Sequence, residues 1–342
     1  MGLLRSSPNL RSLIAIIALL AISFVIILLS LGWAKWPLSI SEVWDVLWGG
    51  GSSTNRTIVL DMNLPRVIMA IFVGAGLAIS GAVMQALFRN PMASPYILGV
   101  SSGASLGAAI GMLFVIPFIP AIVATPVLAF VFCFGTMMLV YSLSKVGGKV
   151  NTETLLLSGI AVGAFISAMV SFMTYIAGEK MGEIIFWTMG DLGRATFENL
   201  AFVVPIIIVG AFLMILLSKE MNAMMLGDAH AMDLGVDVKK VRLVLLVCTT
   251  LVTAVSVAFV GVIGFVGLVI PHIVRLIVGP DNRRVIPLCL IAGATYMIIC
   301  DYIAHVAFNS GEVLPIGIIT ALIGGPYFIY LIRRRKNQVG WN

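Results

Sequence analysis

The stretch from Leu13 to Trp33, LIAIIALLAISFVIILLSLGW, contains no charged residue and decides the class of fold. A helix that crosses the hydrocarbon core of a bilayer needs about 20 predominantly apolar residues. The stretch follows Arg5 and Arg11, as the apolar region of a signal peptide would, but it is longer than such a region and has no small-x-small cleavage site before Trp33. We therefore predict that it is a first membrane span.

The same pattern recurs along the chain of 342 residues. Hydrophobic residues make up 60% of the sequence and charged residues 11%, against about 25% charged residues in soluble domains. We predict an all-α, polytopic membrane helix bundle with about ten transmembrane helices, folded as a single domain over residues 1–342. The predicted spans lie near residues 13–33, 65–87, 96–116, 120–142, 153–176, 197–218, 242–260, 262–279, 285–305 and 314–332.

The basic residues predict the orientation of this bundle. With ten spans and an inside N-terminus, sixteen of the 21 Lys and Arg residues fall in cytoplasmic segments. Five fall outside: Lys35, Arg56, Arg66, Lys180 and Arg194. Cytoplasmic segments of membrane proteins carry such an excess, so both termini are predicted to be cytoplasmic. Because the basic residues lie singly or in short runs between apolar stretches, no nucleic-acid partner is expected.

Glycines predict close helix packing and one interrupted span. Four of them recur at every fourth position in the third span: Gly99, Gly103, Gly107 and Gly111. Such a stripe lets another helix approach closely, whereas a substrate-lining stripe would need polar groups on the same face. Helix-loosening residues make the eighth span a candidate for a broken or kinked helix: Gly261, Gly264, Gly267 and Pro271.

Two polar features also invite a structural or functional interpretation. Ser39 and Glu42 have the spacing of a capping box, and Trp44 and Trp48 follow at helical spacing, so we predict a short amphipathic helix in the outer headgroup region. Asp301 and His305 lie four residues apart in the ninth span, so one helix face carries both. Ionisable residues at membrane depth are functional candidates, with solvation at the interface as the alternative.

The longest cytoplasmic connection, KEMNAMMLGDAHAMDLGVDVKKVR, runs from Lys219 to Arg242. Its apolar residues and two glycines predict a short helix pair suited to a partner protein, with an ordinary connecting loop as the alternative. Asp228, His230 and Asp233 occur within it, but their spacing indicates no preferred metal geometry. We expect those three to be solvated, and we predict neither a metal nor a cofactor. The four cysteines fall in apolar stretches and are interpreted as packing residues: Cys133, Cys248, Cys289 and Cys300.

Longer motifs resemble one known family. Residues 64–107, LPRVIMAIFVGAGLAISGAVMQALFRNPMASPYILGVSSGASLG, closely resemble the signature of the FecCD-type permeases, the membrane subunits of bacterial ABC importers for ferric siderophores, haem and cobalamin. The resemblance continues through GDLGRATFENL, LGDAHAMDLGVDVKKVRL, GVIGFVGLVIPHIVRLIVGPDNRR and LPIGIITALIGGPYFIYLIRR. It therefore covers nearly the whole chain from Leu64 to Arg335.

The resemblance implies a permease of the bacterial cytoplasmic membrane that pairs with a second copy or a paralogue around a central pathway. Two copies of a separate ABC ATPase would dock at the cytoplasmic face, and a substrate-binding protein would dock outside. This chain has no GxxxxGK[ST] motif, so we expect no enzyme activity of its own and ATP hydrolysis on a partner chain. The expected cargo is a ferric siderophore, with haem, cobalamin or an oxyanion as alternatives. An ion-driven secondary transporter is the competing class, and it would need several buried carboxylates near the midplane.

The resemblance also assigns residue roles. Arg66 and His305 would contribute to docking of the binding protein, although Asn63 and His305 stand where cobalamin members carry arginines. Docking could therefore be weaker or pH-sensitive, since histidine titrates near neutrality. The inner gate maps onto Asn90, Met92 and Thr152. The ATPase-coupling loop maps onto Met221, Asn222, Leu226, Gly227, Asp228, Ala231, Leu234 and Gly235.

Overall fold

The computed structural model describes residues 8–33, 37–115, 117, 120–146, 149–150, 152–307 and 313–339, and these form a helical bundle. The α-helices are α1 (Pro8–Leu31), α2 (Ile40–Leu47), α3 (Ser53–Arg56), α4 (Leu64–Leu87), α5 (Val100–Leu113), α6 (Ala121–Leu143), α7 (Thr152–Ile176), α8 (Met181–Thr188), α9 (Phe197–Leu216), α10 (Ser218–Met225), α11 (Asp228–Asp233), α12 (Val238–Val260), α13 (Val266–Val278), α14 (Asn282–Val306) and α15 (Ile316–Val339). A π-helix (Thr57–Asn63) and two 3-10 helices (Pro95–Leu98, Gly178–Lys180) complete the helical elements. Two short antiparallel strands, β1 (Lys145–Val146) and β2 (Lys149–Val150), pair between α6 and α7.

A helix lies at each of the ten predicted span positions, and the predicted fold class is confirmed. Seven helices in the described part of the chain are long and apolar enough to cross a membrane. Three further apolar helices are shorter: Val100–Leu113, Val266–Val278 and Ile316–Leu331. That these three also cross the bilayer, and that the chain forms one domain, stay predictions.

Helix α4 is the centre of the bundle and touches two neighbours through bare backbone. A Cβ atom built on Gly81 would lie 1.7 Å from the carbonyl oxygen of Gly267 in α13. A Cβ atom on Gly74 would lie 2.4 Å from the carbonyl oxygen of Gly293 in α14. Any side chain at these positions would push the helices apart, so glycine is what allows α4 to be packed on several sides.

The glycine stripe of α5 packs against α6, which confirms the packing interpretation. A Cβ atom on Gly103 would lie 2.3 Å from Thr136 Oγ1, and one on Gly107 would lie 2.2 Å from the carbonyl oxygen of Leu128. Gly99, at the end of the stripe, lies beside Gly163 of α7. The stripe therefore holds α5, α6 and α7 together. The four cysteines, predicted as packing residues, are all free and buried.

Irregular backbone separates the seventh and eighth predicted spans, whereas the helix of the eighth span is unbroken from Val266 to Val278 with Pro271 inside it. Helix α12 ends at Val260, and α13 begins only at Val266. Between them Gly261 has a φ of +74°, and a Cβ atom there would lie 2.1 Å from the carbonyl oxygen of Trp187. The backbone nitrogen of Asp191 donates to the freed carbonyl of Val260 at 2.8 Å. Protein groups thus satisfy backbone that the break releases, as irregular backbone at membrane depth requires.

The amphipathic helix predicted after the first span is α2, and its capping box is present. Val43 and Val46 pack towards the ends of α1 and α4. Trp44 and Trp48 remain exposed, Trp48 by 77%, on the neighbouring face. The helix therefore lies at the ends of α1 and α4, with one apolar face covered by protein and a second apolar face uncovered.

Candidate functional site

The predicted coupling loop folds as two short helices, α10 and α11, at the end of the bundle that is predicted to be cytoplasmic. Met221 and Met224 of α10 and Ala231 of α11 are buried and anchor the two helices to the bundle. Gly227 joins the helices with a φ of +130°, and Gly235 follows α11 with a φ of +82°. Both glycines adopt backbone conformations that L side chains rarely take, which explains glycine at the two joints.

Three apolar side chains of this helix pair face away from the bundle, and we call them the docking patch: Leu226, Met232 and Leu234. They are 72%, 60% and 68% exposed. All three residues lie outside the predicted spans. Exposed apolar residues outside membrane spans are typical of a protein–protein contact.

Asn222, predicted to belong to the coupling loop, fastens α10 to the bundle. Its Nδ2 donates to Asp281 Oδ1 at 2.6 Å, and its Oδ1 accepts from the backbone nitrogen of Asn282 at 2.9 Å. Arg283 donates to Asp281 as well and, with the bond from Asn222, holds the pKa of that carboxyl at about 2, well below its usual value. Asp281 therefore stays ionised and anchors α10 to the start of α14.

Asp228, expected to be merely solvated, is bound by two arginines from different helices. Arg89, just after α4, donates from Nη2 to Asp228 Oδ1 at 2.5 Å. Arg242 of α12 donates from Nη2 to Asp228 Oδ2 at 2.8 Å. Arg89 Nε also donates to the carbonyl oxygen of Met224 at 2.9 Å. We call these side chains, Arg89, Asp228 and Arg242, the arginine tie.

Arg89 occupies a backbone position that glycine normally takes. Its φ is +50°, its nitrogen bonds the carbonyl of Ala86, and the nitrogen of Asn90 bonds the carbonyl of Gln85. This is the Schellman pattern, in which the first residue past the helix is left-handed and usually glycine. The left-handed conformation costs a residue with a Cβ about 1–2 kcal/mol. Sequence analysis missed Arg89, and an arginine where a helix should end in glycine is the signal that could have found it.

The predicted gate residue Asn90 shapes the turn that follows Arg89. Its Oδ1 accepts from the backbone nitrogen of Met92 at 2.9 Å, and its carbonyl accepts from Ala93 at 3.0 Å. Both Asn90 and Met92 are half-buried. Thr152 is the first residue of α7, and its side chain lies outside the described part of the chain. The gate role of the three residues stays a prediction.

The turn leads directly onto α7. After it, the 3-10 helix Pro95–Leu98 lies against the first half of α7, where a Cβ atom on Gly159 would be 2.4 Å from the carbonyl oxygen of Ile97. A Cβ atom on Gly99 would be 3.3 Å from the Cα of Gly163. Backbone contacts therefore connect the end of α4 to α7 without a flexible side chain between them.

At the opposite end of the bundle, which is predicted to face outward, Arg66 and His305 meet Asp301 in a buried cluster. Arg66 Nε donates to Asp301 Oδ2 at 3.1 Å, and Arg66 Nη1 donates to His305 Nε2 at 2.7 Å. The Trp33 ring contacts both, with its centroid 5.8 Å from Arg66 Cζ and 4.6 Å from the imidazole centroid. Asn63 lies nearby and donates to the carbonyls of Leu31 and Trp33. The cluster joins the ends of α1, α4 and α14.

The hydrogen bonds of this cluster fix the state of His305. Arginine can only donate, so His305 Nε2 must accept and the ring is neutral. The proton is then on Nδ1, which donates to the backbone carbonyl of Asp301 at 2.7 Å. Arg66 and His305 are only 5% and 4% exposed, so neither presents a free charge at the outer surface of this chain. Their predicted role in docking a binding protein is untested, and the geometry gives them an internal one.

Comparison with known proteins agrees with the helical architecture. The family model of the FecCD transport family matches residues 19–334. The chain is 39% identical over 305 residues to a cobalamin import system permease of Halobacterium salinarum, covering 89% of this chain and 81% of that protein. It is 38% identical over 322 residues to a hemin transport system permease of Yersinia pestis, covering 92% and 94%. Other relatives, at 34% identity, are named for molybdate and for ferric citrate.

A solved structure shares the fold over nearly the whole chain. It is described as an inward-facing conformation of an ABC transporter of the metal-chelate type. The TM-score is 0.81 at 32% sequence identity, and the match covers 93% of this chain and 98% of the other.

Proposed function

The chain belongs to the FecCD transport family, and from that premise we propose that it forms the translocation pathway for a metal chelate in a binding-protein-dependent ABC importer. It is a multi-pass membrane permease subunit, and its match to the family extends over residues 19–334. The observation that carries the proposal for this chain is the docking patch, an uncovered apolar surface on a helix pair that is itself firmly anchored. A pathway-only protein without a cytoplasmic partner would have no use for it.

The proposed partner at the docking patch is a separate ABC ATPase, with two copies in the whole transporter. Hydrolysis would occur on that chain, because this one lacks a phosphate-binding loop. Closure of the ATPase pair would push on α10 and α11 and shift the permease between outward-open and inward-open states. Docking of a cytoplasmic ATPase requires the docking patch to lie on the cytoplasmic side, where both chain termini are also proposed to lie.

The proposed partner along α7 is a second permease copy or a paralogue. Helix α7 is among the least covered of the long apolar helices, and it exposes large side chains such as Phe165 and Tyr175, by 68% and 80%. Smaller exposed residues, Ser167 and Ser171, lie on the same helix. Two such helices facing each other would supply both contact area and a mildly polar lining for a pathway.

The proposed cargo is a metal chelate, with a ferric siderophore as the first candidate. The relatives named for cobalamin and hemin both act on chelated metals, and the similar solved structure is of the metal-chelate type. Haem and cobalamin are the alternative chelates, and the molybdate relative keeps an oxyanion as a further candidate. Uptake by the reconstituted transporter with its binding protein, measured for each of the four cargo classes, identifies the substrate. Uptake of molybdate alone would refute the chelate assignment.

Replacement of Leu226 tests the docking patch directly. Leu226→Arg places a charge in the centre of the proposed apolar contact and should abolish co-purification of the ATPase while the permease stays in the membrane. Lys145→Glu is a suitable control, because it changes an exposed charge in a different cytoplasmic connection. Retention of the ATPase by Leu226→Arg, at the level of the control, would refute the docking role of the patch.

A further inference from the structure

We propose that Arg89 is a positioning residue that transmits movement of the helix pair α10–α11 to the turn at Asn90 and onward to α7. The inference rests on the proposed function, because the helix pair moves during transport only if an ATPase docks on it. The roles carried over from the resemblance do not include one for Arg89. Its contacts, its backbone and its place in the chain each point to this role.

The contacts of Arg89 converge on the joint of the helix pair. Its Nε holds the carbonyl of Met224, near the end of α10, and its Nη2 holds the carboxylate of Asp228, the first residue of α11. Only three residues, 225–227, separate Met224 and Asp228 in the sequence. One planar guanidinium therefore grips both sides of the joint, and a shift of either helix pulls on the end of α4.

Arg242 makes the grip two-sided. It binds the second oxygen of Asp228 from α12, with its own side chain only 23% exposed. Asp228 is thus held between the cytoplasmic ends of α4 and α12. A displacement of α11 must stretch one of these bonds unless both helix ends follow, so the carboxylate couples the helix pair to two central helices at once.

The backbone of Arg89 shows that the side chain is needed there. Glycine would satisfy the left-handed position at the end of α4 without strain, yet this sequence has arginine. The ion pair with Asp228 is more than 40% exposed on both sides, and exposed pairs contribute little to stability. Fold stability therefore does not account for arginine, whereas a mechanical link does.

The path beyond Arg89 is short and made of backbone. Asn90 is the next residue, and its side chain and carbonyl brace the turn through Met92 and Ala93. The 3-10 helix after the turn contacts α7 at Gly159. Contiguous rigid contacts of this kind carry displacement between sites, and they become evidence for coupling once both ends are shown to respond. Helix α7 is the helix proposed to contact the second permease copy, so this chain of contacts ends at the proposed translocation pathway.

Arg89→Gly is the decisive variant because it keeps the favoured backbone and deletes only the side chain. We expect the parent transporter, reconstituted with its ATPase and binding protein, to lose at least fivefold in substrate transported per ATP hydrolysed on this change. ATPase co-purification and ATP turnover should stay within about twofold of the parent. Asp228→Asn removes the carboxylate charge from the same ion pair and should lower transport per ATP to the same extent, and the double variant should be no worse than either single one.

Two further variants distinguish transmission of movement by Arg89 from a purely structural role. Lys145→Ala removes an exposed basic side chain from a different cytoplasmic connection, so it controls for the loss of surface charge and should leave transport per ATP unchanged. Arg89→Ala keeps the unfavourable backbone, so it should show the same transport loss together with a lower unfolding temperature than Arg89→Gly.

The outcomes distinguish this inference from the proposed function. If Arg89→Gly transports as much substrate per ATP as the parent, the link is refuted. If it instead loses the ATPase altogether, Arg89 serves docking and the positioning role is equally refuted. A parent permease that retains no ATPase would overturn the proposed function itself, and that failure is visible before any variant is measured.

Discussion

Replacement of Asp301 by Ala should be among the most destabilising single changes in the outer half of the bundle. The change leaves Arg66 buried without its carboxylate, and loss of one partner of a buried ion pair costs about 3–5 kcal/mol. His305→Ala should cost less, about 1–3 kcal/mol, because it removes a neutral hydrogen-bond acceptor and leaves the ion pair in place. The difference between the two variants measures the charge contribution of the cluster.

The decisive comparison uses a double variant. Arg66→Leu with Asp301→Leu removes both charges and fills the space with apolar side chains, so it should recover most of the stability lost by Asp301→Ala. The assay is thermal unfolding of the purified permease in one detergent, with retention of ATPase binding as a check on the cytoplasmic side. Equal unfolding temperatures for Asp301→Ala and His305→Ala, or a double variant as unstable as the sum of its parts, would refute this account.

Three other predictions concern other parts of the fold. Gly107→Ala should destabilise the fold by about 1–3 kcal/mol, because its new methyl group meets the backbone of α6. Gly135→Ala is the control, because a Cβ atom there has nothing within 4 Å and should not destabilise the fold. Equal unfolding temperatures for the two variants would contradict the close packing of α5 on α6. The fluorescence of Trp48 should be quenched by lipids brominated near the headgroup, and Trp48→Phe should lose that part of the quenching. Quenching by water-soluble agents alone would contradict the placement of α2 at the membrane interface. Because the pKa of Asp281 is lowered to about 2, its ionised form stabilises the fold above about pH 4, and this stabilisation is lost as the pH falls towards 2. The stability difference between the parent and Asp281→Asn should therefore be constant from pH 5 to 8 and shrink below pH 4. A change in that difference near neutrality would contradict this assignment.

The helices of this protein could be predicted from sequence because their signal is composition. A run such as Leu13 to Trp33 has no other stable environment than a bilayer or a buried core, and each predicted span coincides with a helix. The glycine stripe of α5 was equally legible, because small residues at a four-residue spacing have a direct geometric consequence. The glycines after Val260 mark the connection between α12 and α13, but the break predicted within the eighth span is not found, because α13 continues through Pro271.

The contacts of the polar side chains could not be predicted in the same way. Asp228 was expected to be solvated, but its two arginines come from positions 139 residues earlier and 14 residues later in the chain. Asn222 was assigned to the coupling loop, but its hydrogen bond to Asp281 at the start of α14 was not foreseen. Pairings of this kind depend on how helix ends meet in space, and no local periodicity records them.

The two glycine crossings of α4 limit which motions are open to the transporter. Gly74 against Gly293 and Gly81 against Gly267 lie seven residues apart, about 10 Å along the helix axis. Sliding α4 by one turn would bring residues with side chains into both crossings, where there is no space for them. A piston movement of α4 against α13 and α14 is therefore sterically blocked, and these three helices should turn together as one lever.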